Sequence, residues 1–299
     1  MSTRMKAALV GLQVLIVGGL VTGAILLLTA GDGDARTRTP QAHVNRFDGN
    51  RAWAELLREV RLGPRPAGSQ TLRSLALRLR ATLPHGHIEA VPGGLQNVVG
   101  RLPGRRPAVV LAAHYDTKDT PPGFVGANDG AGGTALVLEA ARALAHLSQR
   151  NPREVRFVLF DGEEAPAGCS AFLTCGIRGS RAYARRHAAA LKALVLADFV
   201  ANRNLRLRRD LGSDATLWAR FRAAARRAGV GSIAPAGEQN TVEDDHTPFM
   251  RAGVPAIDLI DFDFPQWHTL QDQPGVLSER SLDAAGEAVV ELIRELRAK

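Results

Sequence analysis

The pattern of apolar and polar positions changes character along this chain. Residues 7–30 form one apolar run, interrupted only by Gln13, Thr22, Thr29 and glycines, with Arg4 and Lys6 in front of it. At about 1.5 Å per residue, such a run matches a hydrocarbon core of roughly 30 Å. A cleaved signal has a shorter apolar region, about 7–15 residues, and an A-x-A-like site. No clean site follows here, so residues 1–30 read as an uncleaved N-terminal transmembrane helix. Arg4 and Lys6 on one side face Arg36 and Arg38 on the other, so the Lys/Arg balance decides little about orientation. A long C-terminal domain after a first helix commonly translocates. The expectation is a single-pass protein of the cell membrane with its main domain extracytoplasmic. Residues 31–49 are polar and rich in breakers, and read as a linker.

From residue 50 onward the periodicities are those of a folded domain. Residues 52–62 have helical spacing, with Trp53, Leu56, Leu57 and Val60 on one face. The break GPRPAGS at 63–69 separates them from a second amphipathic helix at 72–83, which Pro84 ends. Short β-type runs follow at 97–102 and 108–113, then an Ala/Leu helix at 132–147. Strands at 155–160 and 191–196, a helix at 214–228, a strand at 255–260 and a closing helix at 281–296 complete the pattern. Alternating strands and helices predict an α/β fold, a three-layer αβα sandwich around a mostly parallel central sheet, spanning residues 50–299. Sites in such sheets form outside the carboxyl ends of the strands.

Composition changes this picture little. The chain has 299 residues and a formal charge of +8, and all but four of its 38 basic residues are Arg. These Arg are scattered over several predicted helices with no aromatic interleaving, which argues against nucleic-acid binding. The two cysteines, Cys169 and Cys175, lie six apart in a Gly-containing loop. They read either as a local disulfide, if the domain is extracytoplasmic, or as two free thiols.

The chemistry is concentrated in short polar motifs after apolar runs or turns. His114 follows VVLAA, and Asp116 two residues later shares its face if the chain stays extended. Asp116 could then orient a metal-binding imidazole. Alone, His114 reads equally as a packed strand-end residue. Asp129, in GANDG, reads as a helix N-cap or a ligand. Glu163 and Glu164 follow the strand VRFVLF, and their mutual repulsion would be relieved by a cation. Adjacent extended residues point opposite ways, so one can bind metal while the other carries protons. Asp198 ends the run LVLA. His268, beside Trp267, reads as packing or as a ligand. Glu243, Asp244, Asp245 and His246 place three acids and a His in four residues, where one acid would suffice to cap a helix starting near His246. Two His and several carboxylates are the ligand types of a zinc centre.

HYDTK, GANDG, DGEEA, LADFV, EDDHTPFMRAGVP and WHT stand in an order that resembles the zinc exopeptidase superfamily. That superfamily contains di-zinc aminopeptidases and glutaminyl-peptide cyclotransferases. The resemblance runs from about Trp53 to the C-terminus. It implies Asp129, Glu164 and His268 as zinc ligands, with Asp129 able to bridge two metals, and His114 and Asp198 as second-zinc ligands in the aminopeptidase branch. It implies Glu163 as general acid/base and Asp244 as the partner of Asp198 in a carboxylate relay. HYDTK, the long segment from Glu164 to Gly179-Ser180-Arg181, and the Trp267–His268 pair look most like bacterial glutaminyl cyclases, with Phe264 and Trp267 lining the substrate pocket. Two positions depart from the cyclase pattern: a Trp of the animal enzymes falls near Cys169, and a His appears as Asp258. The resemblance thus implies a cyclotransferase with one zinc that converts N-terminal Gln of a peptide or protein to pyroglutamate with release of ammonia. The alternatives are a di-zinc aminopeptidase and, more remotely, an inactive binding ectodomain.

Overall fold

A computed structural model of the chain describes residues 45–147 and 149–298. The predicted membrane helix and residues 31–44 of the predicted linker lie outside the described residues. Among the described residues, no helix is long and apolar enough to cross a membrane. The end of the predicted linker belongs to the fold. Phe47 is buried, and the backbone N–H groups of Arg46 and Phe47 donate to the Glu287 carboxylate.

Helix α1 (Gly49–Val60) is capped by Asp48, whose side chain accepts from the Arg51 N–H, and α2 (Gln70–Thr82) is capped by Ser69 in the same way. Leu72, Leu75, Ala76 and Leu79 bury one face of α2, as their spacing requires. Strands β1 (His87–Val91), β2 (Leu95–Leu102) and β3 (Arg105–His114) come next, then helix α3 (Ala131–Ala145) and strand β4 (Arg153–Phe160). After the short α4 (Phe172–Cys175) and α5 (Arg178–His187), strand β5 (Leu191–Ala197) returns to the sheet. The remaining elements are β6 (Arg209–Asp210), α6 (Ala215–Arg227), β7 (Glu238–Gln239), α7 (Thr247–Arg251), β8 (Ala256–Leu259) and α8 (Glu279–Ala298).

The main sheet has the order β1-β2-β4-β3-β5-β8. Strands β4, β3, β5 and β8 run parallel, and β2 lies antiparallel between β1 and β4. The sheet is therefore mixed and mostly parallel. Its two faces are buried separately. Val109, Leu111 and Ala113 of β3 join a core with α1, α2, α3, α6 and α8, while Ala108, Val110 and Ala112 join one with Tyr183 of α5 and Phe249 of α7. A strand buried on both sides reads as a continuous apolar run, which is what 108–113 is.

The connectivity places the site. From β3 the chain crosses through α3 to β4 on one side, and β5 then pairs on the other side of β3. The carboxyl ends of β3 and β5 thus flank the point where the winding reverses, where open α/β sheets leave a crevice. Gly133 lets α3 settle on this edge: a Cβ there would stand 2.1 Å from the Ala197 carbonyl oxygen.

Candidate metal centre

Ala112 and Leu196 are register partners, so His114 and Asp198, each two residues further, emerge side by side at the crevice. His114 Nε2 lies 3.5 Å from Asp198 Oδ1 and 3.3 Å from Asp129 Oδ1. Asp129 comes from the loop entering α3. The helix begins after Gly130, and Asp129 makes no capping hydrogen bond, so the N-cap reading does not hold. Gly130 has φ +102°, and a Cβ there would stand 2.8 Å from the Asp116 carbonyl oxygen, so a larger residue would press on the His114 loop.

The other carboxylate oxygen of Asp129 faces a second group. His268 Nε2 lies 3.6 Å from Asp129 Oδ2 and 3.5 Å from Glu164 Oε1. Two donor sets therefore share Asp129: His114, Asp129 and Asp198, and Asp129, Glu164 and His268, each within 4.8 Å of one another. All five residues were legible as candidates in the sequence.

The neighbouring groups orient these donors. Asp116 lies 3.5 Å from His114 Nδ1, and its two oxygens accept the backbone N–H groups of Glu163 and Glu164, both at 3.2 Å. Glu164 Oε2 is paired with Lys118 at 3.3 Å, leaving Oε1 for the centre. Lys118 was part of a recognised motif without an assigned part in it. The His268 ring lies between Trp267, stacked at 4.3 Å, and Phe124, edge-on at 6.3 Å, and its backbone has φ +54°. A non-glycine residue in that region is held there by its surroundings, a form of strain common at functional sites. Asp272 was missed: its carboxylate accepts the N–H groups of Asn128 and Asp129. Nothing in the sequence around DQP distinguishes it from a loop acid.

The residues present fit a divalent cation. His114 Nδ1 and Nε2, Asp129 Oδ2 and Glu164 Oε1 are buried and make no hydrogen bond among the described residues. Burial, together with the charge on Glu164, pushes Asp129 up to about 7 against the pull of His114. Burial alone would lower the His114 ring, but Asp116, Asp129 and Asp198 hold it well above its ordinary value. A crowd of buried acids that favours a proton favours a metal cation in its place. Two imidazoles and three carboxylates are suitable zinc donors.

Glu163 belongs to neither donor set and lies 3.8 Å from His114 Nδ1. Burial first, then the charges on Glu164, Asp244 and Asp245, push its carboxyl well above the usual range. Asp244 is raised in the same direction by burial and by Asp198 and Asp245. Neither Asp244 nor Asp245 caps α7, which has no side-chain cap; the Asp244 N–H instead donates to Thr247 Oγ1. Behind Asp244, Asp258 is fully buried and lies 4.0 Å from His246.

The centre opens into a cavity of about 780 Å³ whose wall includes Glu163, Asp244, Phe172, Phe262 and Trp267. Trp267 borders this cavity. Phe264 does not: it is buried and packs on Phe199 at 5.7 Å, facing a neighbouring depression. Phe262, two residues earlier, takes its place beside Trp267 at 4.9 Å. Cys169 and Cys175 are disulfide-bonded, and Cys169 borders the cavity.

The pattern of Peptidase family M28 matches residues 97–293. A glutaminyl-peptide cyclotransferase-like protein of Mus musculus is 33% identical over 77% of this chain and 71% of its own length. The glutaminyl-peptide cyclotransferase of Bothrops jararaca is 29% identical over 62% of this chain and 61% of its own. Among solved structures, an Acidobacteriales bacterium glutaminyl cyclase superposes with a TM-score of 0.73 at 31% identity, covering 84% of this chain and 95% of that one. A leucine aminopeptidase precursor of Bacteroides thetaiotaomicron shares the fold, with a TM-score of 0.73 at 23% identity over 84% of this chain and 98% of that one. With the two donor sets at the crevice and a family match over most of the domain, the chain belongs to Peptidase family M28.

Proposed function

We propose that this enzyme is a zinc-dependent glutaminyl-peptide cyclotransferase acting on the N-terminal Gln of peptides or proteins. Asp129, Glu164 and His268 would hold the zinc. Bound there, the metal supplies a Lewis acid for the γ-amide carbonyl of the substrate. The α-amino nitrogen attacks the carbonyl carbon of the side-chain amide, a new C–N bond closes the five-membered lactam, and the bond from that carbon to the amide nitrogen breaks. Glu163 takes a proton from the α-amine and delivers it to the departing ammonia. Asp244 and Asp198 hold the amide nitrogen through the transfer. Phe262 and Trp267 wall the cavity with apolar surface that limits competing water.

The observation that carries this reading is Glu163: buried, on the cavity wall, outside both donor sets, and in surroundings that raise its affinity for a proton, as a base requires. The likeness to glutaminyl cyclases above 30% identity supports the choice of reaction.

The second donor set, His114, Asp129 and Asp198, favours another reading. With two zincs the same centre would suit an aminopeptidase, with Glu163 as the base toward water. Purified chain assayed with a Gln-peptide and a Leu-anilide, with zinc counted, separates them. Ammonia release with about one zinc per chain supports the cyclotransferase; leucine release with two zincs overturns it.

The apolar run at 7–30 supports a membrane-anchored enzyme, and the long domain that follows it favours an extracytoplasmic catalytic domain. Cleavage of the domain by protease added to intact cells tests this; protection overturns it.

A further inference from the structure

Arg65 lies in the helix-breaking segment GPRPAGS, yet it is one of the largest fully buried side chains among the described residues. Its main chain is bonded in both directions to Thr117: the Arg65 N–H donates to Thr117 Oγ1 at 2.8 Å, and the Thr117 N–H donates to the Arg65 carbonyl at 3.1 Å. Its guanidinium reaches across to another loop. Nη1 donates to the carbonyls of Gly63 and Val125, both at 3.0 Å, and Nη2 pairs with Glu59 Oε1 of α1 at 3.3 Å.

The two loops it joins are those of the metal centre. Thr117 follows Asp116, whose oxygens hold the backbone of Glu163 and Glu164. Val125 opens the segment that ends at Asp129, the residue shared by both donor sets. Burying a guanidinium is expensive, and its counter-ion here is a weak one, since burial pushes Glu59 up to about 7. A brace needed for packing alone could be apolar. The planar fork of Arg spans a carbonyl and a carboxylate at once in a way that Lys does not.

We propose that Arg65 is a positioning residue of the metal centre, tying the loop of Asp116 to the loop of Asp129 so that the donors keep their spacing. This rests on the reading of Asp129 and its neighbours as a zinc site.

The test is zinc affinity of the full-length chain by chelator competition, well below the unfolding temperature, for wild type, Arg65→Met and Arg65→Lys. Arg65→Met is expected to weaken zinc binding about tenfold or more, the scale for groups that orient metal ligands. Arg65→Lys should recover part of that loss. A drop in zinc-free melting temperature with unchanged zinc affinity overturns the proposal, because it leaves Arg65 a structural brace. If Arg65→Met does not fold, Thr117→Val removes the acceptor of the Arg65 N–H at nearly constant shape. A several-fold loss of affinity there supports the proposal, and wild-type affinity overturns it. A wild-type chain that binds no zinc overturns the metal reading and this inference together. Tight binding by wild type and equally tight binding by the variants overturn this inference alone.

Discussion

The Asp272 carboxylate holds the backbone N–H of Asp129 at 3.1 Å, and its other oxygen holds Asn128 at 2.9 Å. The acid at the middle of the centre is thus set in place by a second acid from the loop just after His268. Asp272→Asn sets an amide N–H₂ against one of these N–H donors. Zinc affinity should fall roughly 10- to 100-fold, measured by chelator competition, with the fold retained by circular dichroism.

Glu163 is assigned proton transfer and no metal. Glu163→Gln should therefore lower kcat by about 10²-fold or more, while metal analysis finds the same zinc content as wild type. Undiminished turnover of the Gln-peptide would remove Glu163 from the mechanism.

Zinc binding should be linked to proton release. A zinc ligand His is neutral and a ligand carboxylate ionised. In the metal-free centre the His114 ring is held well above its ordinary value by Asp116, Asp129 and Asp198, against burial, while burial raises Asp129 to about 7. Below pH 7 the Asp129 proton opposes the cation, so affinity should fall as pH drops through 7 and recover as it rises. Calorimetry in buffers of different ionisation enthalpy reads the released protons directly. A binding heat independent of buffer would contradict this account.

Packing of α3 on the sheet edge gives a stability prediction. Gly133→Ala places a methyl 2.1 Å from the Ala197 carbonyl oxygen and 2.9 Å from the Ala113 Cβ. Two strand ends and a helix must separate to admit it, at about 1–3 kcal/mol. Urea denaturation of the zinc-free chain should show a lower midpoint.

The sequence announced those parts whose physics is local. Strand β3 is a run of apolar residues because both of its faces are covered, and the acids after β4 and β5 follow such runs directly. Strand β1 escaped notice because HIEAV is a short edge strand with only Val91 buried. Helix α5 did so because its Arg residues mask the buried Ala182 and Tyr183. Asp272 and Arg65 are long-range: each matters through a loop far away in the chain, and neither periodicity nor spacing carries that information. The exchange of Phe264 for Phe262 falls in a segment outside any helix or strand, where no periodicity fixes which way a side chain points. For Cys169 and Cys175 spacing allowed either state, and the fold of their loop brings them together.

The reversal of winding between β3 and β5 also bears on the order of assembly. His114 and Asp129 share the connection from β3 to α3, Glu164, Asp198 and His268 follow β4, β5 and β8, and the Asp129 N–H is held by Asp272 from that last loop. A chain that ends before the loop after β8 lacks His268, and so the Asp129, Glu164 and His268 set, together with the Asp272 carboxylate that holds Asp129. Loop closure over such separations comes late and slowly. Completion of that set is therefore a readout of the finished topology, and a chain still lacking the loop after β8 cannot hold zinc there.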